Sequence, residues 1–90
     1  MSPDVKQFEL DRIVNMLKSF TWTVVSSRIE GDKVIAQFQK VMPGAAADIK
    51  KFESDRITNM LSSFGWQVVS SEYPGDKVIS QYSKVIKSEA

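Results

Sequence analysis

Two residue types that carry much of enzyme and metal chemistry are missing from this chain of 90 residues. It has no cysteine, which excludes disulfide bonds, thiolate nucleophiles and thiolate metal sites. It has no histidine, the side chain used most often for acid–base chemistry near neutral pH and for binding zinc. The remaining polar residues show no spacing that points to catalysis. We therefore expect a protein that is not an enzyme, with no catalytic, metal-binding or cofactor-binding residues and no cofactor.

An excess of one charge and long apolar runs are also absent. The chain has 12 basic and 11 acidic residues, a net charge of +1, whereas proteins that bind nucleic acid by neutralising phosphates are usually more basic. The first residues, MSPDVKQFEL, lack the basic start and apolar run of a signal peptide. No apolar stretch approaches the roughly 20 residues that cross a bilayer. We expect a cytoplasmic protein with neither a nucleic acid nor a membrane as its partner.

The sequence contains an internal repeat with an offset of 44 residues. Residues 4–42 read DVKQFELDRIVNMLKSFTWTVVSSRIEGDKVIAQFQKVM, and residues 48–86 read DIKKFESDRITNMLSSFGWQVVSSEYPGDKVISQYSKVI; the two segments are identical at 25 of 39 positions. We interpret this as a tandem duplication. A unit of about 40 residues is at the limit of folding alone. We therefore expect both repeats to pack together as a single domain over residues 1–90, related by a pseudo-two-fold axis.

The first part of each repeat predicts an amphipathic helix. In the first repeat, six apolar side chains fall within one arc of about 180° when residues are placed at helical spacing; they are Val5, Phe8, Ile13, Met16, Leu17 and Phe20. Leu10 and Val14 fall on the outer side. Ser2 and Pro3 favour a helix start. Gly65 favours the end of the second helix, and Thr21 at the matching position indicates that a left-handed residue is not required there.

The rest of each repeat predicts two strands joined by a turn. Residues 21–29, 33–42, 66–73 and 77–86 are rich in β-branched and aromatic types. The resulting αββαββ order predicts an α+β two-layer sandwich: a four-stranded antiparallel sheet with both helices on one face. One closed solution places the second strand of each repeat at the centre of the sheet and the first at an edge, and the strand order stays open. This topology resembles a circularly permuted ferredoxin-like fold, a resemblance that carries no function with it.

The alternation of side chains along the strands predicts two apolar faces, of which the helices can cover only one. We favour the face carrying Val34, Ala36 and Phe38 as the core, because burying Gln37 and Gln81 without partners would cost about 1–3 kcal/mol each. The opposite assignment stays open. The uncovered face is then a candidate interface between two copies, formed by Trp22, Val24, Ile35, Val41, Trp66, Val68, Ile79 and Val85. Alternatively, the tryptophans fold over the helix ends and leave this face without a partner.

Charged residues interrupt the apolar arc of each helix. Glu9 and Arg12, like Glu53 and Arg56, are spaced i, i+3 and can pair within one helix. With a two-fold axis between the helices, Glu9 can instead meet Arg56, and Glu53 can meet Arg12. We expect a partly buried polar seam that stabilises the fold, rather than a pair of carboxylates for acid–base work or cation binding.

Three functions are consistent with these features. We favour a small, non-enzymatic interaction or assembly module that forms a homodimer through the open face of its sheet, or that binds another protein. The first alternative is binding of single-stranded nucleic acid by aromatic stacking and lysines, with Trp22, Trp66, Phe38, Tyr82, Lys33, Lys40, Lys77 and Lys84 as the contacting residues. The second alternative is a small ligand bound between the helices and the sheet.

Overall fold

A computed structural model describes residues 4–87 of the protein. Two helices and four strands follow the order expected from the sequence: α1 (Asp4–Lys18), β1 (Thr23–Glu30), β2 (Lys33–Val41), α2 (Ala47–Ser62), β3 (Gln67–Glu72) and β4 (Lys77–Val85). The α+β class is therefore confirmed. Ser2 and Pro3, proposed as the start of the first helix, lie outside the described residues.

The strands form one antiparallel sheet in the order β1-β2-β4-β3. β2 and β4 occupy the centre and pair along their whole length, and Gln37 lies opposite Gln81 in the middle of this pair. Each hairpin adds its other strand at an edge. The antiparallel sheet is confirmed, and its strand order is the closed arrangement that the sequence analysis left open as one solution.

Both helices end in the same local geometry, which corrects one expectation. The amide of Trp22 donates to the carbonyl of Leu17, and the amide of Trp66 donates to that of Leu61. These bonds close a left-handed helix end of the Schellman type. Gly65 adopts a φ of +89°, and Thr21 adopts +66°. A left-handed residue is thus required at Thr21 too, although a β-branched side chain disfavours that conformation.

The helices cover the face of the central strands that the sequence favoured. Fully buried on this face are Val34, Ala36, Phe38, Val78, Ser80 and Tyr82, and the helices add Ile13, Leu17, Ile57 and Leu61. Ile35, Val41, Ile79 and Val85 alternate with the buried strand residues and lie on the open face, as expected.

β-Bulges change the face assignment on the two edge strands. The register shifts between Val24 and Ser26 in β1, and between Val68 and Ser70 in β3. Val24 lies opposite Phe38 and Val68 lies opposite Tyr82, so both valines share the helix-covered face. Their assignment to the open face was wrong, because one extra residue in a strand reverses the alternation of its side chains.

The helices are rotated relative to the expected orientation. Leu10, expected on the outer side of α1, is only 4% exposed, whereas Phe8 is 69% exposed, as is Phe52 of α2. The buried side chains Glu9, Ile13 and Leu17 place the centre of the buried face about 50° from the centre of the predicted arc. The prediction gave equal weight to every apolar residue of the arc, so it counted Phe8 as buried beside Glu9.

Candidate functional site

The two tryptophans belong to the core, not to an exposed surface. Trp22 is 0% exposed and Trp66 is 2% exposed. Each follows a helix and fills space between the helix layer and the sheet, together with the surrounding apolar core. Of the eight residues expected on the open face, the structure therefore places Ile35, Val41, Ile79 and Val85 there, with Ile35 only 9% exposed. It places Trp22 and Trp66 inside, as in the alternative arrangement at the helix ends.

Each tryptophan donates a hydrogen bond to a glutamate from the other repeat. We use first half for residues 4–42 and second half for residues 48–86. Nε1 of Trp66 donates to Oε2 of Glu9 at 3.0 Å, and Nε1 of Trp22 donates to Oε2 of Glu53 at 3.1 Å. A buried indole N–H needs an acceptor. In the sequence, the only indication of these hydrogen bonds was the position of each glutamate inside an apolar helix face.

The Glu9 cluster consists of Glu9, Arg12, Trp66 and Lys84. Arg12 donates to both carboxylate oxygens of Glu9, with Nη2 2.8 Å from Oε2 and Nε 3.1 Å from Oε1. Nζ of Lys84 donates to Oε2 at 3.0 Å. The arginine comes from the same helix as the glutamate, whereas the tryptophan and lysine come from the second half.

The Glu53 cluster repeats this arrangement with Glu53, Arg56, Trp22 and Lys40. Nη2 of Arg56 lies 2.7 Å from Oε2 of Glu53, and Nζ of Lys40 lies 3.0 Å from the same oxygen. The glutamates thus pair with arginines on their own helices, and no direct Glu9–Arg56 or Glu53–Arg12 pair joins the described halves. Lysines from the strands make the connection across the halves instead.

An aromatic ring from the opposite half packs on each arginine. The guanidinium carbon of Arg12 lies 4.7 Å from the centre of the Phe64 ring, and that of Arg56 lies 4.9 Å from the centre of the Phe20 ring. Such contacts stabilise a partly exposed cation by about 0.5–1 kcal/mol. They also hold each guanidinium in its bidentate position on the glutamate.

The donors around each glutamate decide its protonation. Burial raises the pKa of Glu53, but the hydrogen bonds from Arg56, Lys40 and Trp22 outweigh it and lower the pKa to about 2. Burial also raises the pKa of Glu9, but hydrogen bonds from Arg12, Lys84 and Trp66 outweigh it and lower the pKa below its usual value. Both carboxylates are therefore ionised near neutral pH and are poor general acids.

The same contacts argue against a cation site. Each carboxylate faces one arginine and one lysine, so a metal ion would enter an environment with an excess of positive charge. Among residues 4–87, no group of three acidic side chains is arranged to hold a metal ion. In the same range, every buried side-chain nitrogen or oxygen has a hydrogen-bond partner. The clusters are complete as they stand and act as connections between the halves.

The open face of the sheet combines exposed aliphatic side chains with an uncharged centre. Val41 is 55% exposed and Val85 is 57% exposed. Gln37 and Gln81 pair at the middle, Ile35 lies opposite Ser83, and Gln39 lies opposite Ile79. Charged residues on this face lie at its ends and edges, including Arg28, Glu30, Lys33, Glu72 and Lys77. An interface with a neutral centre and a polar rim has this distribution.

A small cavity lies at one end of the sheet. Its volume is about 140 Å³, and it is lined by Gly65, Gln67, Ser83, Lys84 and Val85. Sites for small organic ligands usually enclose about 300–1,000 Å³. This cavity is much smaller, and Lys84, its one charged lining residue, already contacts Glu9.

Comparison of the chain with protein-family models, curated proteins and solved structures found no match. Within residues 4–87, neither helix is long and apolar enough to cross a lipid bilayer. Any functional argument therefore depends on the surfaces and contacts of the chain itself.

Proposed function

We propose that this protein is a non-enzymatic assembly module that forms a homodimer through the open face of its sheet. The supporting observation is that Val41 and Val85 are each more than half exposed at opposite ends of the central strands, with a centre that carries no charge between them. Exposed apolar side chains on a sheet face that no helix covers are available to a partner. Charges at the ends and edges give the rim of such an interface.

The proposed dimer places two sheets face to face. Aliphatic side chains from both sheets then interdigitate across a separation of about 10 Å. Gln37 and Gln81 can hydrogen-bond to the glutamines of the second copy, since a buried amide needs such partners. A closed interface with two-fold symmetry uses the same patch on both copies, so one face is sufficient for assembly.

Introducing charge on the open face tests this function. In the double variant Val41→Lys and Val85→Lys, four lysines enter the interface of a dimer, and like charges should separate the copies. Light scattering at about 100 μM should give a mass near 20 kDa for the parent protein, about twice 10.2 kDa. The variant should give the mass of one chain.

The matched control places the same charges on the helices. Val5→Lys and Ile49→Lys alter residues that are exposed to a similar extent, but on the other layer of the molecule. This control should remain dimeric. A parent protein that is monomeric at this concentration, or a control that dissociates like the test variant, would contradict dimerisation through the open face.

The alternative of stacking nucleic-acid bases receives no support from side-chain positions. Trp22, Trp66, Phe38 and Tyr82 are all buried, and Lys40 and Lys84 are paired with glutamates. Stacking platforms for single strands require exposed rings next to free cations. The cavity lined by Gly65, Gln67, Ser83, Lys84 and Val85 is too small to support the small-ligand alternative.

We also propose that the chain arose by tandem duplication and represents a permuted ferredoxin-like topology acting in the cytoplasm. The repeated sequence and the same α-β-β order in both halves support the duplication. The order β1-β2-β4-β3, with both helices on one face, supports the topology. Fractionation of cells that produce the native protein would test its location.

A further inference from the structure

The surface that joins the two halves is built from residue types that both halves share. Glu9, Arg12, Trp22 and Lys40 of the first half correspond to identical residues at positions 53, 56, 66 and 84. The phenylalanines that pack on the arginines also correspond, at positions 20 and 64. The glutamate–arginine pair of each half therefore contacts the tryptophan and lysine of the other half, and this contact occurs twice.

The backbone contacts between the halves are reciprocal as well. The amide of Met42 donates to the carbonyl of Asp76, and the amide of Ile86 donates to the carbonyl of Asp32. These two bonds link corresponding positions. The pairing of β2 with β4 is centred on Gln37 and Gln81, which also correspond. A rotation of one half onto the other thus reproduces the same set of contacts.

Most of the sequence differences lie within a half instead. Ser54 of α2 hydrogen-bonds to Ser80 of β4, and Leu10 and Ala36 occupy the matching positions of the first half. Thr58 and Tyr82 form another hydrogen bond inside the second half. At the contacts between halves, four corresponding pairs differ in type: Ala36 and Ser80, Phe38 and Tyr82, Gln39 and Ser83, and Met42 and Ile86.

We propose that this surface does not distinguish one half from the other, nor one copy of the chain from another. Its partner is then a second copy of this chain: two copies exchange halves, and the partner subunit's Trp66 and Lys84 complete the site around Glu9. This exchange does not depend on dimerisation through the open face. It uses the contacts already present within one chain.

The connection between β2 and α2 decides which arrangement forms. It spans only residues 42–46, and Pro43, Gly44 and Ala46 are exposed. A short connection gives its ends an effective concentration on the order of 1 mM, so the halves of one chain pair with each other in dilute solution. Refolding near that concentration allows exchange between chains, since domain swapping forms no new type of contact.

Refolding of the full chain at two concentrations tests the exchange. Protein unfolded in urea is refolded at about 1 μM and at about 1 mM, and both samples are then compared at the same low concentration. We expect about a tenth or more of the concentrated sample to elute at twice the mass of one chain and to convert slowly. The variant Val41→Lys with Val85→Lys should retain this species, because it alters only the open face. A single-chain mass for every sample would overturn the proposal.

A chain with two identical halves tests whether each half can pack against a copy of its own sequence. Residues 48–86 are replaced by the sequence of residues 4–42 in the full-length protein, and a second chain carries the residues 48–86 twice. Each should unfold cooperatively with a thermal midpoint within about 10 °C of the parent. Loss of cooperative unfolding in both chains would overturn the proposal, because it would show that contacts between halves need the differences between them.

Discussion

The two helices pack on the same sheet through different chemistry. Under α1, Leu10 is buried, and Leu10, Ala36 and Phe38 occupy the positions that match Ser54, Ser80 and Tyr82 of the second half. Under α2, the hydroxyls of Ser54, Ser71 and Ser80 lie within 3.1–3.3 Å of one another, and Thr58 bonds to the hydroxyl of Tyr82 at 2.9 Å. The contact of α1 with the sheet is thus apolar, whereas the matching contact of α2 contains hydroxyl groups that hydrogen-bond to one another.

This comparison shows where the fold tolerates change. A buried hydroxyl is costly only when it lacks a partner, and here the serines occur as a mutually bonded group of three. The carboxylate clusters show no such variation, because each glutamate must satisfy donors from both halves. The substitutions in the serine group are therefore accommodated within a half, whereas the carboxylate clusters between the halves are the same twice over.

The largest loss of stability is expected from removing the buried carboxylate that each half contains. The double variant Glu9→Gln and Glu53→Gln removes both carboxylates and leaves two arginines and two lysines without their ion pairs. Removing one partner of a buried pair typically costs about 3–5 kcal/mol. We expect roughly that loss in total, because the lysines and arginines can partly reach solvent. Urea unfolding measures this loss of stability. An unchanged midpoint would show that the clusters do not stabilise the contact between the halves.

Acid should weaken the parent protein through the same residues. The folded pKa of Glu53 is about 2, below its ordinary value of 4.5, and the pKa of Glu9 is also lowered. A lowered folded pKa means that the stabilisation is fully present above pH 4.5 and is lost as pH falls from there toward 2. For Glu53 the loss is on the order of 3 kcal/mol. The glutamine double variant should lose less stability over this interval; equal losses would contradict the prediction.

The difference between the helix–sheet contacts can be tested directly at Leu10. Leu10→Ser removes a buried side chain and introduces a hydroxyl facing Ala36, which should cost about 2–4 kcal/mol. Adding Ala36→Ser gives the first half the serine group of the second, because Ser27 already occupies the position of Ser71. We expect the added change to recover about 1 kcal/mol. A double variant no more stable than Leu10→Ser would show that the hydroxyl group does not form there.

The smallest effect is expected where the helix ends differ. Thr21 holds a left-handed φ of +66°, and Thr21→Gly should stabilise the protein by about 1 kcal/mol by removing that strain. Gly65→Ala should act in the opposite direction, because a Cβ at this position would also lie 3.2 Å from Cε of Lys84. Thermal unfolding of the two variants should give shifts of opposite sign. Shifts in the same direction would contradict the role of these two residues.

The sequence predicted most of the fold and less of the candidate sites. Alternation along β2 correctly assigned Val34, Ala36 and Phe38 to the core, because this strand is regular. The same rule failed for Val24 and Val68, since each precedes a bulge that local composition did not reveal. Glu9 with Arg12, and Glu53 with Arg56, were correctly singled out as polar residues inside an apolar face. Their partners Lys40 and Lys84 were assigned to another role, because they are distant in sequence.

The sequence by itself determined the elements of this protein and their order along the chain, because these follow from local periodicity and from a repeat visible in the residues. Tertiary structure alone decided how far the helices rotate, which edge residues turn toward them and which donors reach each glutamate. Those choices depend on filling one shared interior and on satisfying buried charge, and both require groups from distant parts of the chain to meet.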